Sequence, residues 1–261
     1  MIPYFQPPSL SLGPFHLQVF GLFAAAGVYL GAVAASRAAR RDGLPVQPLA
    51  DFAVWGVASG VLFGHLAHLF LYHPEELSDW RKVVEFWQGL SSYGGLLGGI
   101  LAAAVFFHRR HLKFHDYGDA LAVGVAPGWG VARLGCFAIH DHPGVHTTFP
   151  LAVDFPDGPR HDLGLYDALV LFSLAGLLLF LRRRGLLRGR LLAVLALLYA
   201  IARFFLDFLR ATDVSYPDAR YFGLTPAQYG SVLLVGYALW RFSKGPSAPP
   251  GPAGTVRPAG R

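Results

Sequence analysis

Apolar residues run along this chain in long blocks separated by polar links. The blocks fall at about residues 15–36, 49–71, 90–108, 117–137, 165–182, 190–209 and 225–243. Each is close to the ~20 residues an α-helix needs to cross the hydrocarbon of a bilayer. The pattern predicts an all-α integral membrane protein, a single bundle of about seven transmembrane helices. The third and fourth blocks are rich in glycine, which suits close helix packing in lipid. Two links are longer than the rest. Residues 72–89 (YHPEELSDWRKVVEFWQG) read as a short amphipathic interfacial helix, and 138–164 as a mixed polar and aromatic segment. Residues 1–244 make one membrane domain. The Pro-, Gly- and Ala-rich stretch 245–261 reads as a disordered tail.

Composition agrees. Hydrophobic residues make up 54% of the chain and charged ones only 15%, against roughly a quarter charged in soluble domains. The net charge of +6 would suggest nucleic acid in a soluble protein. Here the excess sits in alternate links: Arg37, Arg40 and Arg41, then Arg109, Arg110 and Lys113, then Arg182, Arg183, Arg184, Arg188 and Arg190, and finally the tail. Such a bias orients membrane helices, so these links are cytoplasmic. The N-terminus is then outside, the C-terminus inside, and no nucleic-acid partner is expected. The first residues, MIPYFQPPSLSLGPF, have no basic region and do not read as a cleavable signal. Cys136 is the single cysteine, which excludes a disulfide framework and a cysteine zinc site. The eleven histidines leave an all-histidine metal site possible, but none shows metal-ligand spacing on a convincing helix.

A few charges lie inside the apolar blocks. Arg203 is deep in LLAVLALLYAIARFFLDFLR, where a charge costs about 2.5–3.5 kcal/mol or more. Tyr199, Arg203 and Asp207 are spaced by four and share a helical face. Such a pair either ties the bundle together or serves a site. Arg133 is a second intramembrane cation, and two arginines converging on one cavity suit an anion such as a lipid phosphate. SSYGGLLGG at 91–99 opens the third block. Gly94 and Gly95 there either allow close packing or present helix-start amides to a phosphate. His140, Asp141, His142, His161 and Asp162 gather outside the fourth block. They are solvated polar residues or a source of a base near neutral pH.

These residues carry a resemblance. ARLGCF at 132–137, YAIARFFLDFLR at 199–210 and GLTPAQ at 223–228 are similar to segments of the prolipoprotein diacylglyceryl transferase family, over roughly residues 15–243. The resemblance implies seven helices with the N-terminus periplasmic, in the bacterial cell inner membrane. It implies Arg133 and Arg203 as essential arginines, Tyr199 and Asp207 as their neighbours, and Cys136 at a position that also takes Asn. Some positions depart from the family pattern. Tyr93 stands where a histidine proposed for catalysis usually stands, His140 where Gly is expected, and Asp162 and Gly164 replace Pro and Gln after His161.

The activity so implied moves the diacylglyceryl group of phosphatidylglycerol onto the lipobox cysteine thiol of a prolipoprotein, forming a thioether and releasing glycerol phosphate. Its partners are phosphatidylglycerol, prolipoprotein signal peptides and membrane lipid. The phosphate leaving group gains charge, so Arg133, Arg203 and the Gly94–Gly95 amides are expected to stabilise it. No metal or organic cofactor is required by carbon–oxygen cleavage of this kind. The thiol must lose a proton, its free pKa being about 8.5. Tyr93, with an ordinary pKa near 10, is a poor base unless strongly perturbed; His140 or His142 could substitute, or no dedicated base exists and the arginine field alone favours the thiolate. A lipid or small-anion transporter, or a lipid-binding scaffold without catalysis, are the alternatives.

Overall fold

The computed structural model describes residues 1–6, 10–12, 15–17, 19–72, 74–85, 89–215 and 217–245. Eight α-helices appear among them: α1 Val19–Arg41, α2 Gln47–Ala67, α3 Trp80–Val84, α4 Ser92–Arg109, α5 Gly118–Ile139, α6 Leu163–Arg183, α7 Leu191–Leu206 and α8 Pro226–Ser243. Five helical stretches are long and apolar enough to cross a membrane: Val19–Arg41, Gln47–Phe70, Gly118–Ile139, Leu163–Arg183 and Leu191–Leu209. The expected third and seventh spans are helices too. However, Gly94–Arg109 is a shorter apolar stretch, and α8 buries Gln228, Ser231 and Arg241. Large apolar side chains face outward along these helices, with Val54 70%, Phe205 64% and Leu233 76% exposed. A chain surrounded by water would hide more of that surface.

The described residues divide into two compact units, those of 1–35 with 119–245 and those of 36–118. In the second unit α2 packs on α4. A Cβ placed on Gly94 would lie 2.3 Å from the Phe63 carbonyl oxygen, and one on Gly98 2.4 Å from that of Ser59. Only hydrogen fits there, so these glycines bring two backbones together. The interfacial segment is a 3₁₀ turn at Pro74–Ser78 followed by α3. Asp79 caps α3 by accepting from the Arg81 amide at 3.0 Å.

The first unit holds α5 to α8. Ala122, Ala126, Leu171, Leu174, Leu178, Leu191, Val194 and Leu195 form its apolar core. The body of α1 meets α5 through the same device, since a Cβ on Gly27 would stand 2.4 Å from the Gly128 oxygen. Asp119, at the start of α5, accepts from the amides of Gly189 at 2.6 Å and Leu191 at 2.9 Å. It thereby caps α7 from a distant point of the chain, where the N-cap residue Arg190 offers no acceptor.

The link after α5 is more ordered than the sequence suggests. It folds as β4 Pro143–His146, β5 Val153–Phe155 and β6 Gly158–Asp162. With β1 Ile2–Pro3 they form a four-stranded sheet in the order β1-β5-β6-β4, β1 parallel to β5 and the other pairs antiparallel. β2 Leu10–Leu12 and β3 Phe15–Leu17 form a separate antiparallel pair. The expected tail beyond residue 245 lies outside the described residues.

Candidate functional site

Bonds between charged side chains join four helix ends: the last turns of α5 and α7 and the first turns of α6 and α8. Arg203 on α7 bonds Asp207 one turn later, Nη2 to Oδ1 at 2.8 Å, as the spacing of four predicts. Its Nη1 donates at 2.8 Å to Oδ2 of Asp167, which comes from α6. The same oxygen lies 3.3 Å from Nε of Arg133 on α5. Asp207 also accepts from Arg210 Nε at 3.1 Å and from the hydroxyl of Thr225, the N-cap of α8. Arg210 reaches Asp218 at 2.5 Å. Tyr199 is buried on the same stripe, its ring 5.1 Å from that of Trp129, and feels the charge of both Arg133 and Arg203.

Asp167 was not singled out from the sequence, yet it joins the two arginines. It is fully buried. The signal was available in LGLYDALVLF, an acid inside an apolar helix. What the sequence could not supply was its partners, 36 residues away in the case of Arg203. The two arginines are held unequally. Arg203 spends both terminal nitrogens on carboxylates. Arg133 has a longer approach to Asp167 through Nε, which lacks a hydrogen bond of good geometry, and a weak Nη1 contact to Cys136 Sγ at 3.7 Å. Arg133 is therefore the cation better able to take a new anionic partner.

Beside it, just beyond α5, a cleft of about 120 Å³ is lined by Asp141, His142, Arg210 and Asp218, among others. His142 Nδ1 lies 2.8 Å from the Asp141 carbonyl oxygen and 3.2 Å from its carboxylate. Withdrawal from water, with the cations Arg133 and Arg210 adding, holds the His142 pKa well below the ordinary histidine value. Its imidazole is thus neutral. The Asp141 carboxyl is pushed up to about 6, by loss of water contact first and the Asp162 charge next, while Arg133 and Arg210 oppose the rise. One ligand atom each from Cys136, Asp141 and His142 lies within 4.8 Å of the others. That mixed set joins the lone cysteine to two neighbours that no spacing rule for cysteines or histidines picks out.

The other expected residues lie elsewhere. His140, at φ 50°, turns away from the cleft into an aromatic box. Its ring stacks on Tyr4 at 4.9 Å and meets Phe5, Phe137 and Phe155 at 4.6, 5.4 and 5.3 Å. Nδ1 pairs with buried Asp162 at 2.7 Å, which also caps α6 by accepting from the Leu165 amide. Burial raises the Asp162 pKa and the bond from His140 opposes that rise. His140 thus ties the N-terminal segment to α6, and its enclosure removes it as an accessible base. His161, on β6, pairs with the Tyr166 hydroxyl at 2.9 Å. Gly94 and Gly95 belong to the second unit. The Gly94 amide donates to the Ser91 hydroxyl and the Gly95 amide to the Ser91 carbonyl. Both donors are therefore spent on the helix start, and the packing reading of these glycines replaces the phosphate-amide one. Tyr93 sits in the first turn of α4; its side chain lies outside the described residues.

Comparison with known proteins points the same way. The sequence model of the family described as prolipoprotein diacylglyceryl transferase matches residues 7–243. A phosphatidylglycerol–prolipoprotein diacylglyceryl transferase of Chromohalobacter salexigens is 34% identical over 93% of this chain and 94% of its own length. Proteins of the same name are 31% identical in Nitratidesulfovibrio vulgaris, over 93% and 95%, and 30% identical in Halalkalibacterium halodurans, over 88% and 83%. The match runs through every helix that brings a charge to the buried cluster, and the chain belongs to the prolipoprotein diacylglyceryl transferase family.

Proposed function

We propose that this protein transfers the diacylglyceryl group of phosphatidylglycerol to the lipobox cysteine thiol of prolipoproteins, forming a thioether and releasing glycerol phosphate. The observation that carries the reading is the buried pair of arginines on one carboxylate, with the loosely held Arg133 facing the Cys136–Asp141–His142 corner. In this reading Arg133 grips the phosphate and stabilises the charge it gains as the carbon–oxygen bond breaks. Arg203 and Tyr199 shape the pocket, with Arg203 fixed by Asp167 and Asp207. The thiol is activated at the His142–Asp141 corner, because His142 lines a cleft and His140 does not. Seven spans in the bacterial inner membrane, with the N-terminus and this site outside, complete the proposal. The alternate basic links support that orientation.

The test is lipidation of a lipobox peptide by the purified protein in mixed micelles containing phosphatidylglycerol. Transfer is expected, with a fall of about 10²-fold or more for His142→Ala, the size of a lost proton-transfer group, and a smaller fall for His140→Ala. A transporter or a non-catalytic scaffold would lipidate nothing, and equal loss in the two histidine variants would refute the choice between them.

A further inference from the structure

The link from α6 to α7 is a short basic loop with an apolar tip. Residues 182–190 read RRRGLLRGR, five arginines and no acid. Its backbone is pinned at both ends. Gly185, at φ 68°, closes α6 with a Schellman turn: its amide donates to the Arg182 carbonyl, and the Leu186 amide donates to that of Leu181 at 2.9 Å. A second turn follows, in which the Arg190 amide donates to the Leu187 carbonyl at 2.9 Å. Asp119 then holds the far end through the Gly189 and Leu191 amides. Leu186 and Leu187 stand exposed at the tip. Leu187 sits at φ 52°, a left-handed conformation that suits Gly or Asn and strains a bulky side chain. In water the loop would gain nothing from an exposed leucine held there. In contact with an apolar phase the balance changes sign, because burying the two side chains offsets the strain.

Both α6 and α7 belong to stretches long and apolar enough to cross a membrane, so the loop that joins them lies where hydrocarbon gives way to lipid headgroups. Arg183, Arg184 and Arg188 are exposed there, and among the described residues no carboxylate pairs with them. The preference of basic links for one side of a membrane explains the sign of these charges. It does not explain two leucines at the tip, one of them strained. A guanidinium fork takes two oxygens of one phosphate. A zwitterionic headgroup also brings an ammonium group, which this cluster repels, whereas a net-negative headgroup meets attraction alone. We propose that the 182–190 loop binds anionic phospholipid, with Leu186 and Leu187 in the hydrocarbon edge of the leaflet and Arg183, Arg184 and Arg188 on the headgroup phosphates. The loop lies at the opposite ends of α6 and α7 from Asp167 and Arg203. It is a second lipid contact, apart from the buried arginines and independent of the transferase reading. In the orientation proposed above it faces the cytoplasmic leaflet.

Two measurements on the full-length protein test the proposal. In the first, Leu187→Cys carries an environment-sensitive fluorophore in nanodiscs, and the parent, whose lone Cys136 is buried, is the labelling control. In phosphatidylcholine containing phosphatidylserine the emission should shift to the blue and be quenched by brominated acyl chains. The shift should be smaller in phosphatidylcholine alone. In the second, which needs no label on the protein, a fluorescent phosphatidylserine is titrated into the parent in detergent. Changing Arg183, Arg184 and Arg188 together to Gln should weaken its binding about 10²-fold, roughly fivefold for each arginine lost. A label that reports water in both lipid mixtures overturns the insertion of the tip. Equal shifts with and without phosphatidylserine overturn the preference for anionic lipid. A folded triple variant that binds phosphatidylserine as the parent does overturns the role of the arginines.

Discussion

Arginine is clamped between two carboxylates in two places, and water separates their roles. Arg203 lies between Asp167 and Asp207, whose side chains are both 0% exposed. Arg160, on β6, lies between Asp157 and Asp213, at 2.6 and 2.8 Å, whose side chains are 58% and 53% exposed. Arg160 also donates to the Gly144 carbonyl, so it joins β6 to β4 and to the segment after α7. The distances are alike and the energetics are not. Where water reaches the acids, each can be solvated without its partner, and such pairs contribute little. Around Arg203 no ion has that escape, so the charges must balance among themselves. The exposed clamp is a staple for the sheet. The buried one ties α7 to α6 and fixes Arg203 in a single orientation.

The largest effect should come from removing the acid that the two membrane arginines share. Asp167→Ala leaves the buried Arg133 and Arg203 with too little negative charge beside them, a loss of about 3–5 kcal/mol for a broken buried pair. Thermal unfolding in detergent should show it as a large drop in Tm. A variant as stable as the parent would mean that water or lipid phosphate already balances these arginines.

Arg133→Ala should separate chemistry from stability. It removes one cation and leaves Asp167 paired with Arg203, so it should unfold nearer the parent than Asp167→Ala does. Transfer to a lipobox peptide should fall about 10²- to 10³-fold, as when one preorganised donor to a developing anion is lost. A loss confined to KM for phosphatidylglycerol, with kcat intact, would make Arg133 a ground-state anchor.

Some of this contrast was legible in the sequence. Arg203 and Asp207 could be paired on paper, because both ride one helix and the spacing of four fixes the outcome. Arg133 stood out because charge is rare at that depth. Asp167 showed the same anomaly, but its bonds to α5 and α7 are set by how helices pack. The sheet was hidden for another reason. PGVH, VDF and GPRHD are too short to show alternation, and Gly and Pro in two of them argue against strands. They form because Arg160 and neighbouring strands hold them. The surroundings of His140 are hidden in the sequence for the same reason, since its box includes Tyr4 and Phe5 from the far N-terminus.

A smaller effect is expected from Arg160→Ala. The acids it leaves behind face water, so the drop in Tm should be well below that of Asp167→Ala, and transfer should change by less than about tenfold, in line with the modest worth of exposed pairs. The readable consequence is local: amide hydrogen exchange over residues 153–162 should quicken while the helices keep their protection. Equal quickening in α6 and α7 would show that the sheet braces the whole unit.

The smallest and most specific effect is the response of that staple to acid. Bonds from Arg160 hold the Asp213 carboxyl down at about 2 and the Asp157 carboxyl below its ordinary value. A carboxyl whose folded pKa is depressed stabilises the fold above its unfolded pKa, near 4, and loses that contribution as pH falls through the folded pKa. Protection of residues 153–162, corrected for intrinsic exchange, should therefore hold at pH about 5 and fall progressively toward about 2. In Arg160→Ala the acids titrate near their unfolded values, so the protection that remains should no longer depend on pH across that window. If both proteins lose protection in parallel, the acid sensitivity belongs to another carboxylate. Asp162 is not that group, because burial raises its pKa and its protonation costs the fold nothing in the same range.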